Sequence, residues 1–419
     1  MIKVGIIGVG TVGTSVVQIL KDNADIISAR AGIDIVATRG VVKNLKKERA
    51  IELLLTDNVD DVLDDPEIDI VVELMGGVEE AFEVVKRALR NGKAVVTANK
   101  ALLAYHRYEL QEIAQDLAFE YEASVAGGIP IINALRDGLS ANHIESILGI
   151  MNGTSNYMMT KMAKEGVAYE AILKEAQALG YAEADPTFDV GGFDAAHKLL
   201  ILASIAYGID AKPEDILIEG IDKVTQDDIS FAQEFGYAIK LLGIAKKDGS
   251  EVELRVHASL ISKDEMIAKI DGVMNAISVV GDKVGETLYY GPGAGGDATA
   301  SAVVANIIDI ARSGKSTPML GFDKALKGKL TLKPADMIES KYYLRINVSD
   351  KTGVLARIAK IFEDNNISIE TMLQRPASSD SANLLISTHT AVEKDIQKMI
   401  KEIAALDFVN STPVMIRIV

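Results

Sequence analysis

Residues 2–23 read IKVGIIGVGTVGTSVVQILKDN, and this stretch decides the fold of the N-terminal part of the chain. Residues 2–7 are a short apolar run of the kind that makes a fully buried strand. Gly8-Val9-Gly10-Thr11-Val12-Gly13 follows at once, and TSVVQILKDN continues with helical periodicity. Strand, glycines and helix in that order form a far more specific signal than the spaced glycines alone. Gly8 permits the tight turn, Gly10 lets the backbone approach a pyrophosphate, and Gly13 lets the helix pack closely on the sheet. The helix N-terminus at Thr11 and Val12 then faces the negative charge.

Working outward, more strands alternate with helices. A second strand spans roughly residues 33–42 and ends in Lys43-Asn44-Leu45-Lys46-Lys47. A site specific for NAD usually carries an acidic residue there, to bind the ribose 2′-OH. Asn44 among lysines suits a 2′-phosphate better, which favours NADP, with NAD the alternative and Lys43 either a ligand or a solvated charge. Residues 68–74 and 93–97 read as further buried strands, closed by Met75-Gly76-Gly77 and Ala98-Asn99-Lys100. This alternation predicts right-handed crossovers and a doubly wound parallel sheet. Ligands of such sheets bind beyond the strand C-termini, so Gly76 and Lys100 are expected beside Gly10. Residues 119–123 read as one more strand, and the following loop to Pro130 offers one carboxylate and several carbonyls. That loop is either a plain strand-to-helix turn or an oxygen site for a hard monovalent cation.

The chemistry is expected at residues 181–208, YAEADPTFDVGGFDAAHKLLILASIAYG. Glu183, Asp185, Asp189 and Asp194 crowd a short loop, and Asp194 reads as the N-cap of the helix that follows. That helix is nearly all apolar, so it belongs in the interior, and Lys198 lies one turn from Asp194 on the same face. A lysine kept from water needs partners or loses its proton, which makes it a proton donor or acceptor near neutral pH. The plain alternative is a solvated ion pair. The acidic loop is suited to a cationic group on a small substrate.

Elsewhere, residues 144–151 read as a strand ending in NGTSNY (152–157), 232–242 as a helix and 251–261 as a strand. GPGAGG (291–296) precedes a small-residue helix, and the glycines either pack there or present the helix N-terminus to the cofactor. Residues 313–340 read as a linker. From 341 onward the order βαββαβ is a ferredoxin-like unit, with Asp350-Lys351-Thr352-Gly353-Val354 at its first turn. The expected division is 1–130, 131–312, the linker 313–340 and 341–419.

Bulk composition narrows the partners. The chain has 419 residues and a net charge of −16, which disfavours nucleic acid and anionic membranes. It has no cysteine, which excludes disulfides, thiolate catalysis and cysteine metal sites. Met1 leads straight into a strand, and no apolar run reaches bilayer length, so the expectation is a cytoplasmic protein.

Taken together, GIIGVGTVG (5–13), TANK (97–100), EASVAGGIPII (122–132), NGTSNY (152–157), GYAEADP (180–186) and DVGGFDAAHK (189–198) resemble homoserine dehydrogenase of the long bacterial type. The sequence SDKTGVLARIAKIFEDNNISI (349–369) is similar to the ACT signature, and the resemblance covers the whole chain. It implies a Rossmann-type N-terminal domain, an α+β catalytic and dimerising domain and a C-terminal ACT domain, in a homodimer or homotetramer. It further implies reduction of L-aspartate 4-semialdehyde to L-homoserine, in threonine, methionine and isoleucine biosynthesis. Lys198 then matches the general acid/base and Lys100 a lysine near nicotinamide and substrate. Glu183 and Asp194, with Asp189, match substrate-gripping residues, and Gly180 and Gly295 match backbone near the cofactor. Glu122, Val125, Gly127 and Ile129 match a sodium site. Threonine feedback is implied at Asp350, Gly353 and Val354. Two other readings stand beside this one: a dehydrogenase of another small amino-acid aldehyde, and a non-catalytic nucleotide and amino-acid sensor.

Overall fold

A computed structural model describes residues 1–313, 318–324, 326 and 328–419. The first sheet comprises β1 (Ile2–Ile7), β2 (Ile35–Val41), β3 (Leu54–Thr56), β4 (Ile70–Glu73), β5 (Ala94–Thr97) and β6 (Phe119–Glu120). All its pairings are parallel, in the order β3-β2-β1-β4-β5-β6. The strand order reverses at β1, so the glycine turn after β1 sits at the point where such sheets bind ligands. β4 is buried on both faces, as a parallel strand covered by helices must be. Helix Thr11–Asp22 follows the turn, and a Cβ on Gly13 would stand 2.6 Å from the Gly8 carbonyl oxygen, which is why only glycine fits there. The strand expected over 119–123 is shorter, giving way at Glu122–Ser124 to a 3₁₀ turn.

The second sheet is built from β7 (Ile144–Ile150), β8 (Leu217–Ile218), β9 (Tyr237–Asp248), β10 (Glu251–Ser262), β11 (Met274–Gly281) and β12 (Gly285–Pro292). It is continued by β13 (Thr331–Leu332), β14 (Glu339–Ser349), β15 (Ile369–Pro376), β16 (Ser381–Thr388), β17 (Ala391–Val392) and β18 (Val414–Ile418). Its main path is β12-β11-β7-β9-β10-β18-β14-β16-β15. The helix read over 232–242 is corrected: helix Gln226–Glu234 stops, Gly236 takes φ +78°, and residues 237–248 pair antiparallel with all of β10. Cross-strand burial overrode local helical preference. Residues 274–292, for which the sequence carries no expectation, form the antiparallel hairpin β11–β12.

Residues 339–418 form the ACT domain, with strand order β18-β14-β16-β15. Helices Val354–Asp364 and Glu393–Ala404 cover one face, against Tyr342, Leu344, Ile346, Leu384 and Ile386. Its last strand, β18, also pairs parallel with β10, at Ser259–Arg417 and Leu260–Ile418. The two units therefore share one sheet. Within the stretch read as a linker, Met319 and Leu320 are buried and β13 pairs with β10, while residues 314–317, 325 and 327 lie outside the described residues. Helix Gly296–Ser313, beyond residue 130 in sequence, packs in one core with Val4, Val16 and Val72 of the first sheet's layer.

Asp228 fastens the shared sheet to helix Gln226–Glu234. Fully buried, it accepts hydrogen bonds from Tyr343 Oη (2.8 Å), from Arg345 Nε (2.8 Å) and from the Thr225 backbone N–H (2.9 Å). Asp228→Ala strands a part-buried guanidinium and a buried phenol, so it should cost about 3 kcal/mol in urea unfolding, with the loss visible in a lowered midpoint.

Candidate active site

Lys198 projects from the second turn of helix Phe193–Tyr207 and is 8% exposed. Its Nζ donates to the Met151 carbonyl oxygen at 2.6 Å and to Asp194 Oδ2 at 2.7 Å. Burial pulls the ammonium's pKa down, opposed by the charge of Asp194 and reinforced by that of Lys100. Lys100 begins helix Lys100–Ala114, just beyond β5, and its Nζ lies 3.1 Å from Asp194 Oδ1. One carboxylate thus bridges two ammonium groups. Burial pushes the Asp194 carboxyl up, but Lys198 and Lys100 outweigh burial and hold it below the usual carboxylate range.

The N-cap assignment for Asp194 is corrected. Gly192, at φ +88°, is the cap, no side chain caps the helix, and Asp194 sits inside the first turn, free to hold the lysines. Asn152 organises the other side of the cluster. Its amide donates to Asp194 Oδ2 and to Asp189 Oδ1, each at 2.9 Å, and its own oxygen caps helix Gly153–Glu165 at Ser155. Asp189 is half-buried, and burial pushes its carboxyl up. Glu183 is exposed, and among the described residues its carboxylate has no hydrogen-bond or ion-pair partner. Asn275, on the unrecognised hairpin, donates to the same Met151 carbonyl, while its buried Oδ1 has no partner. His197 rests edge-on against Phe188 and Tyr105. Burial and then Lys100 bring its pKa down to about 4, so it is neutral at pH 7.

The Lys198–Asp194–Lys100 cluster meets the glycine turn through the ends of β4 and β5. Buried Glu73 accepts from Thr97 Oγ1 at 2.6 Å and from the Met75 N–H at 2.7 Å, and Asn99 Nδ2 donates to the Gly77 carbonyl. Lys100 is thereby held beside the 75–77 turn, where Gly76 has φ +76°. A cavity of about 300 Å³ opens there, lined among others by Gly8, Gly10, Lys43, Arg49, Asp57 and Met75. A Cβ on Gly10 would meet nothing within 4 Å, so its backbone is open to a ligand, whereas one on Gly8 would lie 2.5 Å from the Leu74 carbonyl oxygen. Thr11 is exposed and Val12 partly so at the same helix start. These residues fit the pyrophosphate half of a dinucleotide. Lys43 lies on the rim. Arg49, which sequence reading missed, reaches back to the Val9 and Asn44 carbonyls from beyond the lysine-rich loop.

Gly296 abuts Thr11 and Ser15, which places the Gly291–Gly296 loop against the glycine-turn helix, with Gly295 at φ +126°. Gly180, at φ +76°, is exposed on the loop before the acidic stretch. Glu122 is buried, and its two oxygens accept the Ile132 and Asn133 N–H groups at 2.7 and 2.8 Å. Burial still pushes its carboxyl up to about 7. Gly353, at φ +85°, caps helix Val354–Asp364, Val354 is buried beneath it, and Asp350 accepts from Gln374 Nε2 at 3.2 Å.

An open glycine cradle at a strand-order switch, joined to a buried lysine by a carboxylate-bridged pair, defines a dinucleotide-dependent oxidoreductase. Family profiles agree region by region: the NAD-binding domain of homoserine dehydrogenase matches residues 8–122, the homoserine dehydrogenase domain 130–308 and the ACT domain 342–408. The chain is 54% identical over 418 residues to homoserine dehydrogenase of Helicobacter pylori, covering 100% of this chain and 99% of that one. The crystal structure of a homoserine dehydrogenase from Thiobacillus denitrificans superposes with a TM-score of 0.93 at 47% identity, covering 100% and 98% of the two chains. A hyperthermophilic archaeal homoserine dehydrogenase in complex with NADPH matches 74% of this chain and 97% of its own, with TM-score 0.63 and 27% identity. The chain belongs to the homoserine dehydrogenase family.

The bridged carboxylate sets an acid sensitivity. Asp194 has a folded pKa below its unfolded value, so its stabilisation is present above about pH 4 and is lost as the pH falls toward the folded value. Asp194→Asn should lower stability at pH 7 by about 3 kcal/mol and flatten the decline below pH 4, as read by urea midpoints from pH 2 to 7.

Proposed function

We propose that the protein interconverts L-aspartate 4-semialdehyde and L-homoserine with a nicotinamide cofactor, Lys198 being the general acid and base. One arrangement carries the reading: an amine nearly sealed from water, 2.7 Å from a carboxylate that also binds the lysine at the end of β5. The bound cofactor supplies hydride chemistry at the aldehyde carbon. Lys198 Nζ gives its proton to the aldehyde oxygen as that oxygen becomes an alkoxide, and takes it back in the oxidative direction. Asp194 keeps the amine aimed, while Lys100 keeps Asp194 anionic. Asp189 and Glu183, with Asp194, hold the substrate's ammonium group, and this positioning supplies much of the rate. A non-catalytic sensor would have no use for a buried proton donor.

Lys43 and Arg49 on the cavity rim favour NADP, and the archaeal relative with NADPH supports that choice. Asp57 on the same rim is the feature that favours NAD as the second reading. The ACT domain supports amino-acid feedback, and the effector proposed is threonine, bound at the Asp350–Val354 turn, in a homodimer or homotetramer. The carbonyls of Val125, Gly127 and Ile129, with Glu122, have the donor chemistry of a sodium site, and a cation there would relieve the buried Glu122 carboxylate.

Lys198→Ala should reduce kcat about 10²–10⁴-fold while cofactor binding, followed by fluorescence titration, is retained; near-normal turnover would remove Lys198 from the chemistry. For the cation, sodium chloride should raise Tm above that in equimolar choline chloride. Because the folded Glu122 carboxyl ionises at about 7, the increment should be larger at pH 8 than at pH 6, and absent in Glu122→Gln.

A further inference from the structure

Arg417, on β18 of the ACT domain, is 1% exposed and grips two carboxylates at once. Nε and Nη2 donate to the two oxygens of Glu393 at 2.9 and 2.6 Å, and Nη1 and Nη2 donate to those of Glu219 at 2.7 and 3.2 Å. Glu393 belongs to the ACT domain: it opens helix Glu393–Ala404, where a carboxylate suits the dipole, and it also accepts from Tyr342 Oη at 2.9 Å. Glu219 belongs to the catalytic domain and follows β8, with its backbone N–H on the Val256 carbonyl at 2.8 Å.

The segment after β8 lies directly under the acidic loop. The Ile221 N–H donates to the Val190 carbonyl at 3.0 Å. A Cβ on Gly192 would stand 3.1 Å from the Glu219 carbonyl oxygen, and one on Gly220 would collide with the Val190 carbonyl. Gly192 is the cap whose left-handed turn sets the start of the helix bearing Asp194 and Lys198, and Asp189 lies three residues before it. A continuous run of bidentate hydrogen bonds and tight backbone contacts therefore leads from the ACT helix to the segment that carries Asp189 and Asp194. Bidentate guanidinium pairs fix geometry as well as charge, so displacing Arg417 displaces Glu219.

We infer that Arg417 is a positioning residue, coupling the last strand of the ACT domain through Glu219 to the placement of Asp189 and Asp194. It lies outside both the glycine-turn cavity and the Lys198–Asp194–Lys100 cluster. The inference rests on the assignment of those two carboxylates to the substrate's ammonium group.

Glu219→Ala is the cleaner probe, because the Glu219 side chain is 39% exposed and its loss leaves the Arg417–Glu393 pair intact. The KM for aspartate 4-semialdehyde should rise about tenfold, with kcat within about threefold and the KM for NADPH unchanged. Hydrogen exchange of backbone amides in 186–193 should quicken in the same variant. Arg417→Lys should show part of the effect, and Arg417→Lys with Glu219→Ala should be no worse than Glu219→Ala alone. An unchanged substrate KM together with unchanged exchange in Glu219→Ala overturns the coupling, as do fully additive effects in the double variant. A wild-type protein with no turnover of the aldehyde would instead sink the functional reading, and the exchange comparison would still decide the coupling.

Discussion

The Asp194 carboxylate, shared between Lys198 and Lys100, is the interaction on which the rest of the structure depends. Two ammonium groups so close to each other in a poorly hydrated place repel, and only an anion between them makes the arrangement tolerable. Lys198 comes from the interior of the second domain and Lys100 from the rim of the first sheet, so one carboxylate joins the two halves of the site. Asn152 and the Met151 carbonyl complete the satisfaction that a buried charge requires.

A second constraint is the shared sheet. Because β18 pairs with β10 on one edge and β14 on the other, the ACT domain cannot rotate away without breaking main-chain hydrogen bonds. Charges along this seam are paired, buried Arg417 with buried Glu393 and half-exposed Glu219, and part-buried Arg345 with buried Asp228. Such pairs add little net stability but are costly to leave half-made, so they fix the register of one unit on the other. No helix among the described residues is long and apolar enough to cross a membrane.

The acidic loop shows how local and distant forces divide the work. Gly192 supplies the left-handed turn, and the segment 219–221 beneath it would be crowded by a Cβ there, 3.1 Å from the Glu219 carbonyl oxygen. Asp194 is released from capping by that turn, which is why it is available to the lysines. Glu183, by contrast, stays on the exposed face, and among the described residues its carboxylate has no hydrogen-bond or ion-pair partner.

What the sequence determined by itself is whatever depends on neighbours along the chain. The glycine turn after β1, the i,i+4 relation of Asp194 and Lys198, and the burial of an apolar helix all follow from short-range geometry. The βαββαβ order was legible for the same reason, each element carrying its own periodicity. Tertiary structure alone decided what depends on distant partners. Residues 237–242 became a strand because β10 was there to pair with them, and helix Gly296–Ser313 returned to the first sheet because that face needed covering. Asn275, Arg49 and the Arg417–Glu219 link had no local signature, since a hydrogen bond between residues far apart in sequence leaves no pattern until the chain has folded.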